Sequence, residues 1–261
     1  MTAPTAGAEP STAPPTTGER RARPRGSFVA IYQLILRNQI TGGRIAAVVA
    51  LSVLGVLLGL AVGVSDPVDP VDAGTNLIDH YGLQVLVPVV ALVFASSALG
   101  DLVDDRTLVY LWLRPVNRLV MAGAAALAAF TVVLPAVAVP LVVAASLTGG
   151  GAALIGGTAV AAAVGVVGYV GMFTALGIRF RRALVWGLVY ILLWEGFVAN
   201  ASRTASRLSL RAYTRSVMSE YTGIGLDQAN LSLAVAIAVP LVVGTVMVLL
   251  TARRLHSSDI D

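Results

Sequence analysis

The sequence predicts an all-α, polytopic membrane protein with six transmembrane helices and an N-terminal amphipathic helix ahead of the first. Three observations predict it. Hydrophobic residues make up 57% of the 261-residue chain and charged residues 12%; soluble domains hold roughly 45–50% and about 25%. A soluble globule could not hide that much apolar side chain. The apolar residues also fall in six runs of about 17 or more, the length a hydrocarbon core about 30 Å thick requires of a helix rising about 1.5 Å per residue. Finally, the arginines gather between alternate runs, as in loops retained in the cytoplasm.

Residues 1–27 are rich in Pro, Thr, Ala and Arg and cannot bury enough apolar surface to order themselves, so a disordered cytoplasmic tail is expected. It does not read as a secretory signal, because the first apolar run starts too late and is long enough to span. Next, Phe28, Ile31, Tyr32, Leu34, Ile35 and Leu36 stand against Gln33, Arg37, Asn38 and Gln39. That is the pattern of a short amphipathic helix on the membrane surface, although an extension of the first span into the cytoplasm fits the same residues. The expected spans are Ile45 to Val64, Leu83 to Leu99, Leu119 to Leu147, Ala152 or Gly157 to Ile178, Ala183 to Asn200, and Leu231 to Thr251. They form one membrane domain over residues 28–255, closed by a short cytoplasmic tail at 256–261.

Within the spans, Thr148-Gly149-Gly150-Gly151 suits a tight helical hairpin between the third and fourth. Pro88, Pro135, Pro140 and Pro240 would kink their helices, which is tolerated where neighbours satisfy the freed carbonyl. Gly55, Gly59 and Gly63 repeat at four-residue spacing and let another helix approach closely, within the subunit or across a dimer.

Arginine placement sets the orientation. Six arginines precede the first span, three lie at Gly100 to Arg118, three at Arg179 to Arg182, and two near the C-terminus, which places fourteen of eighteen and both termini in the cytoplasm. Ser65 to Gly82 carries Asp66, Asp69, Asp72 and Asp79 without an arginine and should be external. Arg203, Arg207, Arg211 and Arg215 oppose this scheme, because they follow the fifth span and would lie outside. A five-span arrangement that denies the crossing of Ala183 to Asn200 would return them to the cytoplasm.

Several chemistries are excluded. The chain contains no lysine and no cysteine, so it has no Walker phosphate loop, Schiff-base lysine, disulfide or thiol nucleophile. His80 and His256 are too few and too far apart to hold a zinc ion by themselves. Asp101, Asp104 and Asp105 could hold a divalent cation only with a second carboxylate set, which no span offers; they read more simply as the acidic start of a helix. Glu195 is the one ionisable residue within a span and must face the bundle, water or an arginine. It fits either a structural pair with a loop arginine or a pathway residue. The four arginines from Arg203 to Arg215 recur every four residues, making a basic stripe that suits either a solvated helix face or an external gate. Leu108, Leu111 and Trp112 share one helix face, too short to span, which calls for the membrane surface or a protein groove.

The stretch GDLVDDRTLVYLWLRPVNR, with Asp101, Asp105, Arg106, Thr107, Leu108, Leu111, Pro115, Val116 and Arg118, resembles the segment entering the third span of type-2 ABC transporter permeases. That family more often has Glu-Arg where this chain has Asp105-Arg106. YILLWEGFVAN, Tyr190 to Asn200, is similar to the fifth span of many bacterial members. The resemblance implies a six-span permease subunit of an ABC exporter in the bacterial plasma membrane, not itself an enzyme. It implies two partners, a separate ATPase subunit that binds ATP and Mg and a second permease subunit, identical or not, and it implies no nucleic acid. The chain itself would bind no cofactor. It further implies a cytoplasmic coupling helix, formed by Asp104, Asp105, Arg106, Thr107, Leu108, Leu111, Trp112 and Pro115, that docks on the ATPase. The loop after the fifth span would form short helices over the outer mouth. A secondary transporter or channel is the alternative, and a membrane-embedded metal-dependent transferase a further one.

Overall fold

The computed structural model describes residues 24–104, 117–198, 203–227, 229 and 231–257. Every regular element among them is a helix. In chain order these are α1 (Pro24–Gln39), α2 (Gly42–Val64), α3 (Pro70–Leu77), a π-helical segment π1 (Ile78–Leu86), α4 (Val87–Asp104), α5 (Arg118–Leu147), α6 (Gly151–Arg179), α7 (Ala183–Val189), a second π-helical segment π2 (Tyr190–Val198), α8 (Arg203–Ser206), α9 (Leu210–Thr222) and α10 (Leu233–Ser257).

Among the described residues, five helices are long and apolar enough to cross a membrane: Gly42–Val64, Pro70–Gly100, Arg118–Leu147, Gly151–Arg179 and Leu233–Leu255. The chain has the architecture of a multi-pass membrane protein. The fifth expected span is a shorter apolar helix, Ala183–Val198, whose second half is π-wound. Wider turns rise less per residue, so its 16 residues reach less far than an α-helix of that length. The second span begins well before the expected Leu83. Asp69 adopts an extended backbone and its carboxylate accepts from the N–H groups of Val71 and Asp72 at 3.0 and 3.1 Å, with Pro70 in the first turn. This is a strong helix start, and the helix runs from there through π1 into α4. Asp101 and Asp104 lie in the last described turn of α4, and Asp105 lies outside the described residues. Asn117 caps α5, accepting from Leu119 N–H at 2.9 Å.

Helix α1 is no continuation of the first span, because the chain leaves the helix at Ile40–Thr41 before α2 begins. Ile31, Ile35 and Gln39, spaced by four, are buried while Val29 and Leu34 are exposed. Tyr32 donates to Thr131 Oγ1 at 3.2 Å and Gln39 to the Phe94 carbonyl at 3.5 Å, which tie α1 to α5 and α4.

Helix α6 is the centre of the bundle, packed against α4, α5, α9 and α10. Glycine makes these contacts close. A Cβ on Gly177 would strike the Ser96 carbonyl of α4, and one on Gly171 would lie 2.5 Å from Gly244 of α10. The expected glycine stripe on α2 packs within the subunit. Gly59 faces the backbone of Ala144, Gly63 the carbonyl of Leu147, and Gly55 the ring of Tyr81. Ser52 also reaches the Ala136 carbonyl at 3.5 Å, so α2 and α5 run parallel with an almost constant offset. Carried down to Gly42, that offset leaves about nine residues of α5, ~14 Å of helix, projecting beyond the start of α2.

Candidate functional site

Among the described residues, the one place where charge enters the apolar body is around α9. Residues Leu210 to Met218 are all buried, although the stretch includes Arg211 and Arg215. Helix α9 lies antiparallel along α6, over a row of glycines. Leu210 packs on Gly168, Thr214 on Gly165, and Met218 with Tyr221 on Gly157. Ala183–Val198 runs up α6 from its other end, since Glu195 reaches Tyr169 and Gly187 packs on Leu92 of α4. The two pieces together follow α6 over most of its length, and they meet at the level of Gly168 and Tyr169.

Glu195 is 3% exposed. Its Oε2 accepts from the Tyr169 hydroxyl, and its Oε1 accepts from Tyr190 at 3.2 Å and Ser209 at 3.4 Å. The backbone N–H of Arg211 also points to the carboxylate. Ser209 precedes α9 without capping it through its own side chain, so Glu195 supplies, from another element, the acceptor that a helix N-terminus needs. Tyr169 stacks on Phe173 at 5.8 Å, and Tyr190 meets Phe173 edge-on at 6.3 Å, which fixes both hydroxyls.

Asp79, in π1, is 1% exposed and holds both arginines. Arg215 grips it with a two-pronged fork, Nε to Oδ1 at 2.7 Å and Nη2 to Oδ2 at 2.6 Å; Arg211 adds Nη2 to Oδ2 at 3.3 Å. The fork geometry is the strong form of the arginine–carboxylate pair. Arg215 Nη1 also donates to the Asp227 carbonyl at 3.2 Å. Arg211 Nε and Thr75 Oγ1 are buried without a partner. The exposed His80 stands 3.8 Å from Asp79, but its Nδ1 turns to the Asn76 carbonyl at 2.9 Å.

The sequence-derived site residues therefore divide. Glu195 is buried and paired, but with tyrosines, a serine and a helix end, not with an arginine side chain. Arg211 and Arg215 are not a solvated face: they are buried on a carboxylate from a distant segment. Arg207 is exposed, its carbonyl accepting from Tyr213 at 2.6 Å, and Arg203 begins the four-residue α8. Asp104 is the last described residue of α4; Asp105, Arg106, Thr107, Leu108, Leu111, Trp112 and Pro115 lie outside the described residues. Asp79 was missed, being one of four aspartates in an apparently external loop. An apolar groove of about 310 Å³ between α5, α6 and α10, lined by Phe130, Gly171, Gly244 and Leu249 among others, contains no titratable group.

Comparison with protein-family models, with curated proteins and with solved structures finds no match to this chain.

Proposed function

We propose that the chain is the permease subunit of an ATP-binding cassette transporter, an exporter in the bacterial plasma membrane, with the ATPase on a separate subunit and a second permease beside it. The observation that carries the reading is the resemblance of the stretch from Asp101 to Arg118 to the segment entering the third span of type-2 permeases. That stretch joins α4 to α5 at the end where α5 projects beyond α2, the end that also holds Arg179, Arg181 and Arg182 after α6. The absence of lysine supports a nucleotide site elsewhere, since this chain cannot build a Walker loop.

In this reading there are six crossings. Five are continuous, and the sixth is made of Ala183–Val198 and α9 in series, broken at mid-depth. Helix α1 lies on the cytoplasmic surface, and both termini are cytoplasmic. ATP binding closes the ATPase pair, and the segment Asp104 to Leu113 passes that motion to α4 and α5. Arg203 and Arg207 sit at the break, and α9 closes the outer half of the pathway.

The test is association. The full-length chain, expressed with the ATPase encoded beside it, should co-purify with it, and Leu108→Ala with Trp112→Ala should release it while the permease still inserts. A buried tryptophan anchor contributes about 2 kcal/mol or more to such a contact, so the double variant should weaken binding at least ~30-fold. Full ATPase binding by that variant would remove the coupling role. Substrate movement driven by an ion gradient without any ATPase would establish the secondary-transporter alternative.

A further inference from the structure

We infer that Asp79 is the latch of a movable plug: α9 is held against α6 by the bridge from Asp79 to Arg215, and it leaves as a unit when that bridge opens. Four observations lead there. First, α9 is anchored by charge at separate points, its N-terminus on Glu195 and its middle on Asp79. Both carboxylates belong to π-helical segments, wide turns frequently found at functional sites. Second, the face of α6 beneath α9 is a track of Gly157, Gly165 and Gly168. Leu210, Thr214, Met218 and Tyr221 seat on those glycines, so α9 lies close against the backbone of α6.

Third, the bridge is unbalanced. Two guanidinium groups share one carboxylate, and Arg211 Nε has no partner although Arg211 is 4% exposed. A partly satisfied buried network holds its helix less firmly than a complete one. Arg215, with its fork and its Asp227 bond, is the grip; Arg211 is the surplus charge that keeps the grip releasable. Fourth, the chain on the far side of α9 leaves through Gly223 in the left-handed conformation, φ 71°, with open space around it. That residue can absorb a change in direction.

The role of the plug as a gate rests on the transport reading above, but the latch does not. The chain has no cysteine, so a single introduced one reports accessibility cleanly. Ser216→Cys, at a position 2% exposed on α9, is placed in the full-length chain in lipid nanodiscs without any ATPase and labelled with a membrane-impermeant maleimide. Asp79→Asn, which strips both arginines of their carboxylate, and Arg215→Gln, which removes the fork and leaves Asp79 only the 3.3 Å contact from Arg211, should each speed labelling about tenfold or more. Arg211→Gln, which leaves a neutral Asp79–Arg215 pair, should label no faster than the parent. Thr174→Cys, buried on α6 away from α9, should stay slow throughout. Parent-rate labelling in Arg215→Gln overturns the latch even if Asp79→Asn fails to accumulate. Equal acceleration in Arg211→Gln, or at Thr174→Cys, also overturns it. Failure of the transport reading would show separately, as a lack of ATPase association with the labelling pattern intact.

Discussion

A carboxylate in an apolar bundle persists only if its lone pairs are filled, and Glu195 shows how. Three hydroxyl groups and one backbone N–H converge on it from α6, π2 and the start of α9. Glutamine keeps the shape but replaces one acceptor with an NH₂ group facing donors. Glu195→Gln should therefore destabilise the protein by about 1–3 kcal/mol, read as a lower Tm in detergent. Tyr169→Phe should cost more than Tyr190→Phe, since Tyr169 is fully buried and Tyr190 only half-buried. Equal Tm values for all three variants and the parent would mean that the carboxylate is solvated and not held. The sequence made Glu195 legible because it stands alone in an apolar run. Asp79 was not legible for the opposite reason. Aspartates at 66, 69, 72 and 79 look alike, and only the fold shows that the last turns inward beside Ile78 and Leu83 while the first three stay near the surface.

At the level of elements, helix contacts are set by where glycine allows backbones to meet. Helices α6 and α10 cross at Gly171 and Gly244, where an added Cβ lies 2.5 Å from the facing backbone. Backbone cannot yield as a side chain can. Gly244→Ala should thus lower stability by about 1–3 kcal/mol through overpacking. Gly123→Ala, on α5 with open space around it, should leave stability unchanged or raise it by up to about 1 kcal/mol from helix propensity. Denaturation of the two purified variants compares them directly; a greater loss at Gly123 would contradict this account of the crossing. Element existence was legible from apolar run length, and four spans begin and end close to where the runs do. Boundaries set by capping were less so. Asp69-Pro70 carries the cap and first-turn signature that starts the second span early, but the run of charges after it masks the signal. The π-winding at Tyr190 left no mark in a sequence as apolar as an α-helical span.

Over the whole molecule, the helix ends sort into two sides of opposite charge. One end of the bundle gathers Asp66 and Asp69 before α3, Asp72 in its first turn, the turn from α5 to α6, and Glu220 with Asp227 after the middle of α9. The other holds Arg37, Arg44, Arg118, Arg179, Arg181, Arg182, Arg253 and Arg254. Two of the four arginines that opposed this sorting, Arg211 and Arg215, are buried on Asp79 and neutralised by it, leaving only Arg203 and Arg207 against the topological rule, which counts charges in short loops. That makes a prediction sharper than a choice between five and six spans. A reporter at Gly225, in the exposed turn after α9, should lie outside, and one fused after Asp261 should lie in the cytoplasm. Asp79→Asn should disturb the first alone, since it frees two arginines next to that turn and leaves the fourteen elsewhere untouched. A cytoplasmic reading at Gly225 with an external reading after Asp261 would mean five crossings, with α9 and the segment before it entering and leaving from the same side; an external reading at both sites would mean that α10 does not cross.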